Sequence, residues 1–189
     1  MKKTRQFLKE QTNKNDILVV GVSGGPDSMA LLSLLCNLKK EMPIQIICAH
    51  INHNIRKESE AEELFVADFC KRNGIIFEAM KIQTYSTDNF HNEARIKRYQ
   101  FFEQLIKKYN AKYLLTAHHA DDLMETILMR IVRGSTLKGY SGFQECVKRD
   151  TYVILRPLIH ATKEEIYEYL SKNGISYIED QSNLKDGYT

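Results

Sequence analysis

Four groups of residues in this chain have types and spacings suited to chemistry on a phosphorylated ligand. The first is Ser23-Gly24-Gly25-Pro26-Asp27-Ser28, directly behind the apolar run Ile17 to Val22. Its paired glycines let backbone amides approach phosphate oxygens, and the hydroxyls of Ser23 and Ser28 add donors. Pro26 suits a first helical position, where its missing N–H would have no partner. Asp27 is out of place in a bare anion cradle, because a carboxylate repels phosphate. A Mg²⁺ held between the two resolves that conflict, which makes Asp27 the candidate metal ligand. A Walker loop would need Gly-Lys-Ser/Thr and a dinucleotide loop G-x-G-x-x-G, and residues 21–28 provide neither.

The other groups are His50-Ile51-Asn52-His53-Asn54-Ile55-Arg56, Asn92-Glu93-Ala94-Arg95-Ile96-Lys97-Arg98-Tyr99, and Thr116-Ala117-His118-His119-Ala120-Asp121-Asp122. Each also has an ordinary reading. His50 and His53 suit plain surface polarity, and Arg95 and Arg98 a solvated helix face. Asp121 or Asp122 suits a helix cap, and His118 with the aspartates suits a dinuclear metal site. Capping needs one carboxylate and no histidine, so the last cluster exceeds a cap. Residue types alone leave metal and nucleotide both open there.

The elements that must position these groups follow from periodicity. Ile17 to Val22 reads as a strand buried on both faces, and Met29 to Leu38 recurs at helical spacing with Lys39 and Lys40 in the last turn. Further strands are expected over Ile44–Ala49, Ile75–Ile82, Tyr113–Ala117 and Tyr152–Leu155. Helices are expected over Glu58–Asn73, Asn89–Tyr109, Asp121–Val132 and Thr162–Asn173, with a glycine-rich loop from Gly134 to Gly142. On the fourth-unit helix Arg95, Arg98 and Phe102 share one face, while Phe101, Leu105 and Ile106 face the core. The alternation predicts an α/β fold: a three-layer, mostly parallel, five-stranded twisted sheet with helices on both faces, Rossmann-like. In such a sheet ligands gather beyond the carboxyl ends of the strands, where all four groups fall.

Composition excludes whole classes. With 43% apolar and 27% charged residues in 189, the chain is an ordinary globular domain rather than a disordered or disulfide-built one. No apolar run approaches the roughly 20 residues that span a bilayer, and no secretory signal is read at the N-terminus, so no membrane partner is expected. Cys36, Cys48, Cys70 and Cys146 include no C-x-x-C pair, which suits free thiols in a reducing cytoplasm. The net charge of +3 is uneven, with an excess of five positive charges in residues 95–150, as a polyanionic ligand would favour.

S-G-G-x-D-S resembles the signature of the PP-loop ATP pyrophosphatases, which share the adenine nucleotide alpha hydrolase-like fold. Behind it, H-x-N-H-x-x-R, E-A-R-x-x-R-Y, T-A-H-H-A-D-D-x-x-E-T, R-P-L-x-x-x-x-K-x-E-I and the tail Glu179-Asp180-Gln181-Ser182-Asn183 occur in the order of the tRNA(Ile)-lysidine synthase branch. The resemblance covers residues 15–188. It implies a single catalytic domain over 1–189 that adenylates the wobble cytidine of tRNA(Ile) with ATP and Mg²⁺, releases pyrophosphate, and lets free lysine displace AMP. It further implies ATP contacts by Ser23, Gly24, Gly25, Pro26, Asp27, Ser28, His50 and His53. Catalytic roles would fall to Asp27, Arg95, His118, Asp121 and Asp122. In the relatives the chain continues into tRNA-gripping domains, so residues 1–189 are expected to be the catalytic portion, with a homodimer among the partner options. The alternatives are a 2-thiocytidine-type sulfur transferase, which the cysteine spacing disfavours, and a non-catalytic adenine-nucleotide module, which leaves Arg95 and the His/Asp cluster without a purpose.

Overall fold

The computed structural model describes residues 1–53, 59–83, 90–134 and 142–179. Arg56, most of the Gly134 to Gly142 loop and tail residues Asp180 to Asn183 lie outside these. The chain runs α1 (Lys2–Gln11), β1 (Ile17–Gly21), α2 (Pro26–Glu41), β2 (Gln45–Asn52), α3 (Ser59–Arg72), β3 (Ile76–Lys81), α4 (Phe90–Tyr109), β4 (Tyr113–Leu115), α5 (Ala120–Val132), β5 (Cys146–Lys148), β6 (Val153–Leu155), a 3₁₀ turn (Pro157–His160) and α6 (Lys163–Lys172).

The sheet has six strands in the order β3-β2-β1-β4-β6-β5, all parallel except the edge pair β5–β6. The five expected strands are present, and β5 corrects the count. It is three residues long, half-exposed and without alternation, so no periodicity marks it before Leu155 pairs with Cys146. The sequence reading also has no counterpart of α1, whose Thr4, Phe7 and Leu8 are buried beneath a mostly polar helix.

Alternate residues of β1 serve opposite faces, as a strand's two-residue period requires. Leu18 and Val20 enter one core with Met29, Leu31, Leu35 and Ile166, whereas Val19 enters the other with Phe101, Phe102, Leu105 and Ile106. Phe102 is therefore a core residue, 3% exposed, rather than a continuation of the arginine face. It closes over Gly21, the last residue of β1. None of α5 is buried, and Met124, Leu128, Ile131 and Val132 stand exposed along it.

Strand order reverses between β1 and β4: β2 and β3 build outward on one side of β1, and β4, β6 and β5 on the other. A crevice opens at such a switch point beyond the carboxyl ends. The turns that leave β1 and β4 are Ser23 to Gly25 and Thr116 to His119, so both groups flank that crevice.

Gly21 tests the packing at its floor. A Cβ there would lie 2.8 Å from Cζ of Phe102. Gly21→Ala is expected to destabilise the fold by about 1–3 kcal/mol through overpacking. Urea unfolding checks this, and Phe102→Leu in the same chain should recover part of the loss.

Candidate functional site

The phosphate turn is held by its own hydroxyls. The Ser28 Oγ accepts hydrogen bonds from the amides of Ser23 (3.2 Å) and Gly24 (3.1 Å) and donates to the Gly25 carbonyl (3.0 Å). The amide of Gly25 donates to Ser23 Oγ at 3.3 Å. Gly24 has φ +96°, which a side chain would strain, and its carbonyl accepts from the Ile178 amide at 2.9 Å. Pro26 opens α2 and Asp27 stands in its first turn, where a carboxylate complements the dipole.

His50 lies beneath this turn rather than in the open rim. Its ring is 2% exposed, and Nδ1 donates to the carbonyl of Val22 at 2.9 Å, which fixes the tautomer and braces the strand's exit. Burial lowers its pKa and keeps it neutral. His53 is half-buried nearer the mouth, lowered by burial and by the positive charge of Arg98.

Asp27 and the cluster after β4 form one charged unit. The ammonium of Lys163, first residue of α6, donates to both carboxylate oxygens of Asp27, at 2.7 and 2.8 Å. The backbone amide of Lys163 donates to Asp121 at 2.7 Å. His119, buried at the N-cap of α5, has Nε2 3.8 Å from Asp27 and 3.5 Å from Asp122, with Nδ1 3.6 Å from Asp121. Asp122 also caps the helix by accepting from the His119 amide at 2.9 Å. Capping and clustering are thus both realised, by the same carboxylate. Among the described residues no three His, Cys, Asp or Glu side chains converge to hold a metal ion by themselves. One carboxylate at a phosphate turn instead suits Mg²⁺, which keeps waters and takes its remaining ligands from phosphates.

The rim beyond is basic and aromatic. His118 receives a hydrogen-bond contact from Thr116 Oγ1 at 2.9 Å and lies 5.2 Å from the Phe143 ring. Arg156 is 9% exposed, donates to the Gln144 carbonyl at 2.6 Å and stands over Phe143; Arg95 stands over Tyr99. The concave surroundings desolvate His118, and Arg156, Arg98 and Arg95 repel a proton there, against the attraction of Asp122. Together they hold its pKa down to about 4, although the residue reaches solvent. Arg95 and Arg98 are exposed at this rim.

Asp27, Asp121 and Asp122 thus meet at one crevice, with His118 beside them and Arg95 within electrostatic reach of His118. Sequence reasoning assigned no role to Lys163 or Arg156, and His119 entered only as a member of its cluster. Lys163 lies 136 residues from Asp27, beyond any local pattern, and its only signal was the R-P-L-x-x-x-x-K-x-E-I block.

Comparison with known proteins adds a match to the PP-loop domain family over residues 1–189. The chain is 44% identical over 200 residues to the tRNA(Ile)-lysidine synthase of Bacillus cereus and 42% identical over 197 to that of Bacillus subtilis. These alignments take in 100% of this chain but 41% and 42% of those proteins, so it spans about two-fifths of their length. Among solved structures, the U34-tRNA thiolase NcsA of Methanococcus maripaludis superposes with a TM-score of 0.78 at 19% identity, over 94% of this chain and 64% of that one, a likeness of fold.

Two measurements probe the site. Ser28→Ala leaves the Ser23 and Gly24 amides without their acceptor and should cost about 1–3 kcal/mol in denaturant unfolding, with Ser28→Thr close to the parent. The C2 proton of His118 should titrate by NMR with a midpoint near 4. Because the unfolded chain takes up that proton near pH 6.5, the stability contributed by neutral His118 is present above that pH. It is lost as pH falls toward 4.

Proposed function

The chain belongs to the PP-loop family, and from that premise we propose that residues 1–189 are a single catalytic domain that uses ATP to adenylate the wobble cytidine of tRNA(Ile) and joins it to free lysine. The observation that carries this reading is the convergence of the phosphate turn and the Asp27–His119–Asp121–Asp122 cluster on one switch-point crevice. The 42–44% identity to lysidine synthases supports the choice of reaction.

In this reading the amides and hydroxyls of Ser23 to Ser28 hold the phosphates at the dipole end of α2. The base carbonyl oxygen attacks the α-phosphorus as pyrophosphate departs, and the lysine amine then displaces AMP, so catalysis is positioning plus stabilisation of charge. Mg²⁺, bound through Asp27 and the phosphates, would supply charge neutralisation on the triphosphate. Arg95 stabilises the α-phosphate or the activated base. Neutral His118 and the Phe143 ring line the place of the base, and Asp121 or Asp122 receives the incoming ammonium. His50 serves the nucleotide through the turn it braces, while His53 is set to reach it at the mouth. The basic surplus of residues 95–150 suits an RNA partner. We place the reaction in the cytoplasm, and no helix among the described residues is long and apolar enough to cross a membrane.

Sulfur transfer is the weaker reading. Cys36, Cys48 and Cys70 are buried; burial pushes Cys36 up to about 11, and contact with Cys70 together with burial raises Cys48, so the thiols of Cys36 and Cys48 are poor thiolates.

ATP–pyrophosphate exchange tests the proposal. The chain should exchange label in a manner dependent on tRNA(Ile), and Asp27→Asn should lower the rate by about a hundredfold or more with the fold retained. ATP binding without exchange would instead support a nucleotide-binding module. Labelled lysine recovered in the tRNA identifies the amino acid.

A further inference from the structure

The loop between β1 and α2 lacks the lysine that other phosphate loops carry, yet a lysine reaches it from the far end of the sequence. Lys163 meets Asp27 at 2.7 and 2.8 Å, and the two side chains are 38% and 26% exposed. An ion pair this open to water is worth little as a structural clamp. Its placement is also costly. Lys163 is the first residue of α6, where the helix dipole disfavours a cation, and the turn beside it is the positive end of α2.

The chain nevertheless fixes that lysine firmly. Thr162 and Glu165 close a capping box around the start of α6, with the Glu165 amide donating to Thr162 Oγ1 at 3.2 Å and the Thr162 amide to Glu165 at 3.0 Å. Asp121 accepts from the Lys163 amide, and the carbonyl of Ala161 accepts from the Ala120 amide at 3.0 Å, so the starts of α5 and α6 are tied together. A cation built so carefully into an unfavourable position beside an anion cradle has an anion as its natural partner.

We propose that Lys163 is the phosphate-binding lysine of this site, held by Asp27 until a nucleotide triphosphate arrives and then transferred to its β- and γ-phosphate oxygens. The inference rests on the ATP-using reading above. When the acceptor oxygen bonds to the α-phosphorus, the bond from that phosphorus to the α–β bridging oxygen breaks, and its electron pair leaves on pyrophosphate. The ammonium of Lys163 balances that charge without moving a proton. The same transfer frees both oxygens of Asp27, which Lys163 otherwise occupies, for a Mg²⁺ that accompanies the triphosphate.

Calorimetric binding of α,β-methylene-ATP, which cannot be cleaved at the α–β position, tests this beside binding of AMP, which lacks the phosphates Lys163 would hold. Lys163→Met should weaken the triphosphate analogue about tenfold or more, equivalent to about 1.4 kcal/mol, and leave AMP affinity unchanged. Lys163→Arg should keep most of the analogue's affinity. Equal weakening of both nucleotides, or no weakening of either, overturns the proposal. So does failure of both Lys163→Met and Lys163→Gln to fold, which would make the pair structural. If the parent chain binds neither nucleotide, the ATP-using reading itself fails.

Discussion

Everything chemical in this protein depends on the parallel pairing of β1 with β2 on one edge and β4 on the other. A parallel strand sends its connection to the same end of the sheet as its neighbour's, so both turns emerge together. The reversal of order at β1 then keeps the helices after β1 and β4 from closing over the gap. α2 and α5 therefore begin on either side of one crevice, each presenting an electropositive N-terminus. The sheet supplies the place and the polarity before any catalytic side chain is considered.

That polarity explains where the acids sit. Asp27 is in the first turn of α2, Asp121 and Asp122 in the first turn of α5, and Glu164 and Glu165 in the first turn of α6. Each lowers the local cost of a helix start, yet three of them also face one another across the crevice. Left alone, Asp27, Asp121 and Asp122 would repel. His119 lies 3.5–3.8 Å from all three, and Lys163 spans two of them, with its ammonium on Asp27 and its backbone amide on Asp121. Beyond them, desolvation first and then the opposite field of Arg156, Arg98 and Arg95 keep His118 neutral. The rim thus grades from acidic at the turn after β1 to basic at the aromatic mouth, the order that the proposed nucleotide and RNA ligands would need.

Much of this was legible in the sequence, for a definable reason. The inner strands β1, β2 and β4 announce themselves because burial makes them continuous apolar runs, the half-exposed edge strand β3 being the exception, and α2 and α6 because their caps and final basic turns are local signals. The phosphate turn is local too, since six consecutive residues carry its chemistry. What was not legible is what forms by long-range contact. β5 exists because Leu155 offers it an edge. α1 is mostly polar, and the three residues it buries do not repeat often enough to declare a helix. Phe102 turned from the arginine face to the core, where its ring packs against Gly21 so closely that a Cβ there would lie 2.8 Å from it. His50 resembled a ligand by type, but its position at the end of β2 puts the ring under the neighbouring strand's exit, where the Val22 carbonyl needs a donor.

Lys163 carries the same lesson into the site itself. Its ammonium reaches Asp27 only after β6 has paired with β4 and the 3₁₀ turn has brought α6 back across the sheet. The segment after α6 then returns to the phosphate turn, where Ile178 donates to the Gly24 carbonyl and its side chain lies against the one glycine of the turn with positive φ. The cradle is consequently enclosed by the last third of the chain, from the side by Lys163 and from above by Ile178. A ligand that gathers these groups stabilises the docking of β6 and α6 as much as the turn it touches, because binding to the assembled state alone draws the whole sheet toward it. The site is local in its motif and global in its assembly, because Lys163 and Ile178 reach the turn only through the later strands and helix.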